Sequence, residues 1–217
     1  MSVVRQEFGP TLPELAGPRF RAWSRPAQLA LVAAAVLVVA GLAWLFVTRT
    51  GGGPTVVRGP ITFNLSYAPP LHRTAPHAGE LLRLQTRGET SPQSYTVRLL
   101  RIPPYRGDSG AALGIVASHM TDRMAATIPG FVYRGEGKAR VNTTPGYQIS
   151  YQGNIGGRLT YGRRLMLVAP SVAHPRVAAQ VDVLAARSAA VPNADSVGGS
   201  GALKQAMRSF RFGTQGP

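Results

Sequence analysis

Residues 146–168, GYQISYQGNIGGRLTYGRRLMLV, decide the class of fold. From Gly146 to Gln152 every second residue is apolar, which puts Tyr147, Ile149 and Tyr151 on one face of a strand. Gly153-Asn154-Ile155-Gly156-Gly157 then reads as a turn, and Gly162 to Val168 resumes as the next strand. A turn this short leaves no room for a crossover helix, so the two strands pair antiparallel.

The same period extends outward in both directions. Phe131 to Val141 is a strand on the N-terminal side, with glycines at 135 and 137, and Val177, Ala179, Val181 and Val183 alternate through another on the C-terminal side. Further upstream, Leu113, Val116, Met120 and Met124 are spaced three, four and four, which places them on one face of a helix. Asp108 or Ser109 stands where that helix needs a cap, and Pro129-Gly130 ends it. Ile61 to Leu65, Glu80 to Arg87 and Ser94 to Ile102 read as strands, while Ala68 to Gly79, with three prolines and two histidines, reads as a loop. After a polar, glycine-rich loop from Asp195 to Gly201, Leu203, Met207 and Phe210 define the inward face of a closing helix. Lys204, Gln205, Arg208 and Arg211 lie on its other side. Three strands, a helix, four strands and a helix describe an α+β domain with helices packed on an antiparallel sheet.

The order resembles the PsbP-like fold. The residues that carry the resemblance are Gly146 to Tyr151, the strand Tyr161 to Val168 with its Tyr-Gly opening, and Leu203 to Phe210, a terminal helix ending in Ser-Phe. The group includes the extrinsic oxygen-evolution protein of photosystems, a nuclear-import Ran-binding factor and bacterial envelope lipoproteins of the LpqN type. The resemblance covers about residues 61–212 and implies an α/β/α sandwich around an antiparallel sheet. It also implies a binding or assembly role, with partners that differ between members. The chain departs from the lipoproteins in having no cysteine to lipidate.

Its anchor is expected instead at Leu29–Val47, LALVAAAVLVVAGLAWLFV, which has no charge and no proline. As a helix this run covers roughly 28 Å, about the thickness of a bilayer's hydrocarbon core. It is apolar all round, unlike a core helix, and longer and later than the apolar part of a signal peptide. The expected organisation is therefore a disordered cytoplasmic tail at 1–28, a transmembrane helix at 29–47, a Gly/Pro linker at 48–60, the domain at 61–212, and a short tail at 213–217. Arg19, Arg21 and Arg25 before the run place the tail inside and the domain outside a bacterial cell membrane.

The formal charge of +15 comes from 24 basic residues, of which Lys138 and Lys204 are the lysines. It fits attraction to an anionic partner, whether lipid headgroups, an envelope protein or an acidic envelope polymer, and fits better a GC-rich genome that inflates Arg, Ala, Gly and Pro together. Nucleic acid is disfavoured, because the arginines are dispersed and no recognised binding motif is present. Zero cysteines exclude disulfides and thiol chemistry.

No constellation commits the chain to catalysis. Gly107-Asp108-Ser109-Gly110 matches the nucleophile signature of trypsin-like proteases and Thr74-Ala75-Pro76-His77 echoes their histidine motif, but the interval between them cannot hold the two barrels that build that triad. His72, His77, His119 and His174 include no pair at helical metal-ligand spacing. Tyr133, Tyr147, Tyr151 and Tyr161 either line a groove or edge the core. No catalytic, cofactor-binding or metal residue is assigned, no cofactor is expected, and the chain reads as a non-enzyme. The functional expectation is a membrane-anchored extracytoplasmic binding or assembly module of the cell envelope. The alternatives are an envelope hydrolase using Ser109 or a histidine, or a carrier holding an amphiphile between sheet and helix.

Overall fold

The computed structural model describes residues 24–49, 55–88, 92–169 and 175–214, with helix positions 28, 31, 42, 43 and 45–49 described in backbone only. Most of the expected tail, Gly51, Gly52 and Gly53 of the expected linker, and His174 lie outside these residues. The chain forms two compact units, Met1–Thr50 and Gly51–Pro217.

The first unit contains α1, Arg25–Arg49, a helix of 25 residues. Leu29, Val36, Leu37, Val39 and Trp44 are all exposed on it. Among the described residues, no helix is long and apolar enough to cross a membrane. The run Leu29–Val47, expected to be a transmembrane helix, is helical throughout, and a membrane crossing by it is not shown.

The second unit is built on a seven-stranded sheet. Its strands are β3 (Leu71–Thr74), β4 (Glu80–Thr86), β5 (Gln93–Arg101), β6 (Val132–Val141), β7 (Thr144–Ile155), β8 (Arg158–Leu167) and β9 (Val177–Ala186). The order is β3-β4-β5-β9-β8-β7-β6, and every neighbouring pair is antiparallel. A small second sheet joins β1 (Thr55–Val57), β2 (Phe63–Leu65) and β10 (Arg211–Phe212), with β2 in the middle. Two helices complete the unit, α2 (Ser109–Thr127) and α3 (Gly201–Ser209).

Alternation along the strands sends side chains to two separate cores. On one face α2 packs Leu113, Ala117 and Met124 against Ile149, Tyr151 and Met166. On the other, Leu165, Leu167, Val181 and Val183 meet Leu203 and Met207 of α3, and Phe63 and Leu65 of the small sheet. Burying each of these large side chains stabilises by about 1.5–3 kcal/mol, so one-residue register slips are strongly opposed. Gly162 belongs to this packing. It pairs with Tyr151, whose ring lies so close that a Cβ on residue 162 would stand 2.2 Å from the ring. The Tyr161-Gly162 pair within β8 therefore gives Tyr161 to one core and makes room for Tyr151 in the other.

The expected two-sided α+β arrangement is present, with several changes of detail. Leu71–Thr74, inside the expected loop, is strand β3, paired to Leu84 and its neighbours. Thr55–Val57, inside the expected linker, pairs with β2, so the folded unit begins before residue 61. The expected five-residue turn shrinks to Gly156-Gly157, because both glycines take positive φ and let β7 run on to Ile155.

The helix cap resolves in favour of Asp108, whose Oδ2 accepts from the Gly110 N–H at 3.0 Å, while Ser109 is the first helical residue. Asp108→Ala is expected to cost about 1 kcal/mol in denaturant melts, and Ser109→Ala less than about 0.5 kcal/mol.

Candidate functional site

Arg163 and Arg164 are adjacent in β8 and therefore point to opposite faces of the sheet. Arg164 lies on the α2 side, ion-paired with Asp182 of β9, which also accepts from Gln180 at 2.8 Å. On the same face Glu80 is fully enclosed and bonded to Arg83 at 2.6 Å and Arg98 at 2.8 Å. These arginines are matched by carboxylates.

Arg163 lies on the α3 side, in phase with Tyr161 and Leu165, and among the described residues it has no ion-pair partner. Its Nε donates to Gln148 Oε1 at 2.8 Å, and its Nη2 donates to the same oxygen. Burial lowers its proton affinity, and the charge of Asp195 partly opposes that effect. A half-buried guanidinium held by one neutral amide keeps its charge and has unused donors.

That side chain lines a cleft of about 500 Å³ beside α3. Arg140 of β6 borders it on the sheet side, and Lys204 and Arg208, one helical turn apart on α3, border it on the other. Asn142 and Met207 also line it, and among the described residues no acidic side chain does. Among the described residues, none of these four cations is ion-paired. Backbone geometry supports the shape. Gly198 has φ +73°, and a Cβ there would stand 2.0 Å from Met207 Sδ, so glycine lets the loop before α3 close over Met207. Asn142 donates from Nδ2 to the Phe210 carbonyl at 2.7 Å, joining the β6–β7 turn to the end of α3.

The residues singled out from sequence for catalysis are not assembled. Ser109 opens α2 in a depression lined also by Lys138 of β6, at one edge of the sheet. His77 precedes β4 near the opposite edge, where its Nδ1 lies 3.1 Å from Arg83 Nη2. Four or more strand spacings of about 4.8 Å separate the two positions, roughly 20 Å. His72 sits in β3 opposite Gln85, and His119 lies on α2. Among the described residues no three His, Asp or Glu side chains group as a metal site. The four tyrosines do not share a groove. Tyr151 and Tyr161 are buried in different cores, Tyr133 is exposed, and Tyr147 donates to Glu136 at 3.3 Å.

No protein-family model matches the chain, and no curated protein sequence matches it. Solved structures do. Cyanobacterial PsbP (CyanoP) from Synechocystis superposes with a TM-score of 0.50 at 9% identity, over 75% of this chain and 94% of that one. The fold is PsbP-like. LpqN of Mycobacterium tuberculosis, a protein involved in cell envelope biogenesis, aligns with a TM-score of 0.49 at 12% identity, over 78% of this chain and 95% of that one.

The ending shared with the sequence pattern has a physical basis in this PsbP-like domain. Ser209 Oγ donates to the Ser66 carbonyl at 2.8 Å and accepts from the Ser66 N–H at 2.9 Å. Phe210 stacks on Phe63 with centroids 5.4 Å apart, and meets Phe212 edge-on at the same distance. Ser-Phe thus fastens α3 to the small sheet and sets one wall of the cleft. The cleft residues were missed from sequence, where only the helical spacing of Lys204 and Arg208 and a charge in phase with Tyr161 and Leu165 signal them.

Proposed function

We propose that this chain is a membrane-anchored, extracytoplasmic binding module of a bacterial cell envelope, and that the cleft beside α3 is its binding surface for an anionic envelope component. The observation that carries the reading is the cluster of Arg140, Arg163, Lys204 and Arg208 around one concavity that no acidic side chain lines among the described residues. Clustered like charges destabilise a fold, and a bound anion relieves that cost. Anchoring through Leu29–Val47 is supported by nineteen uncharged residues that lie wholly within a 25-residue helix. The arginines before that run support the outward orientation of the domain.

A binding role is preferred to hydrolysis because Ser109 and His77 stand at different edges of the sheet. It is preferred to lipid carriage because Leu113, Met124, Ile149, Tyr151 and Met166 pack against one another between the sheet and α2.

A photo-crosslinking residue placed at position 208 in the full chain in cells is expected to capture an envelope component, and one at position 119 on α2 to capture far less. Equal capture from both positions, or turnover of an envelope substrate, sinks the reading. For topology, protease added to spheroplasts is expected to digest the domain and spare the tail. A protected domain with a cleaved tail reverses the orientation.

A further inference from the structure

A second concavity lies on the face of the sheet opposite the cleft, where α2 ends. Strand register assembles it. Arg83 of β4 pairs with Thr96 of β5, Thr96 with Asp182 of β9, and Asp182 with Arg164 of β8, so four polar side chains cross four strands in one row. Ser94 and Arg98 stand two residues to either side of Thr96 in β5 and share its face. All six line a cavity of about 180 Å³, and Ile128, Ile155 and Leu184 line it too. Thr96 and Asp182 are buried. The cavity shares no lining residue with the cleft beside α3.

We infer that this cavity binds a small organic monocarboxylate, its charged end held by Arg98 and its apolar end against Ile128, Ile155 and Leu184. Charge is the first reason. Arg83 and Arg98 share the carboxylate of Glu80, and Arg164 has that of Asp182, so three guanidiniums stand against two carboxylates. The second is an unused donor. Arg98 gives Nη2 to Glu80, while its Nε is buried with no hydrogen-bond partner. A buried donor of a charged group is costly to leave unmade, and one carboxylate answers both the donor and the excess charge. Size is the third. The cavity of about 180 Å³ is close to the roughly 150 Å³ that encloses one benzene molecule, so a ring acid or a short-chain acid is the right scale. Ile128 is the C-cap of α2, and the partial negative charge of a helix C-terminus, about half a unit, disfavours a doubly charged phosphate there. An apolar wall facing a few convergent polar groups is the usual make-up of a small-molecule site.

The test titrates the full chain in neutral detergent with benzoate and hexanoate, with their neutral amides, and with inorganic phosphate. At least one carboxylate is expected to bind saturably, at one site per chain, about 10-fold or more tighter than its amide. Arg98→Gln is expected to weaken that carboxylate about 10-fold. Arg98→Lys keeps the charge without the Nε donor, and is expected to weaken it about 3-fold. Ser94→Leu keeps every charge and puts bulk into the cavity, so it is expected to abolish binding. Thermal melts confirm that each variant is folded, and Ser94→Leu decides the matter if Arg98→Gln is not. Arg101→Gln removes an exposed charge at the end of β5, outside the cavity lining, and is expected to change nothing. An equal loss from Arg101→Gln overturns the inference as general charge attraction. Amides bound as tightly as the acids overturn it as apolar partition, and phosphate bound more tightly than either acid overturns it in favour of an inorganic oxyanion. Binding untouched by Ser94→Leu, or no saturable binding of either acid, also overturns it.

Discussion

Phe210→Ala is expected to destabilise the Gly51–Pro217 unit by roughly 3–5 kcal/mol, through lost burial and a residual cavity. Phe210 is fully buried at the end of α3, between Phe63 and Phe212, and Phe63 is itself fully buried. Its stacked partners are held in β2 and β10 by strand pairing, which limits collapse into the space. The loss is a large share of the 5–15 kcal/mol that holds a typical domain together. It also frees the helix that carries Lys204 and Arg208, so anion binding should fall with stability. Denaturant melts of the unit with and without the substitution decide the matter, and coincident midpoints would remove α3 from the core. Ser209→Ala serves as the milder companion. It removes the bonds to Ser66 and leaves the ring, and is expected to cost about 1 kcal/mol.

Glu80→Ala is expected to cost roughly 3 kcal/mol at neutral pH. That is the low end for breaking a buried ion pair, since the Arg98 side chain is 43% exposed and water screens part of the interaction. The carboxylate accepts from Arg83 through both oxygens, from the His77 N–H at 2.9 Å, and from Arg98. These bonds, that from Arg83 foremost, hold its pKa at about 2 against an ordinary 4.5, although burial alone would raise it. A carboxyl held low in the folded state binds fewer protons there than when unfolded. Its contribution is therefore complete above the unfolded value and declines as pH falls from about 4.5 towards about 2. Melts of the wild type and Glu80→Gln across that range are expected to converge on acidification. A stability gap that stays constant below pH 4 would show that the network contributes through packing and not through charge.

Much of the architecture was legible in local pattern. The period-two runs in 146–168 gave a pair of antiparallel strands, and Leu203, Met207 and Phe210 gave a helix with one inward face, because both signals depend only on the geometry of a few successive residues. The short strands were not legible. Thr55–Val57 and Leu71–Thr74 are flanked by prolines and glycines, and they exist because β2 and β4 offer backbone partners. Nor was the central join of the sheet, where β5 pairs with β9 across the whole β6–β8 meander. Composition and local pattern establish a +15 chain with one long apolar run and an α+β domain of alternating strands. Which of those charges are matched depends on long-range packing. Arg163 and Arg164 are chemically identical neighbours, and the pleat turns one towards Asp182 and the other towards Gln148 beneath α3. Pairing between distant strands and the docking of α3 determine which face holds a carboxylate, and those contacts leave no local trace in the chain.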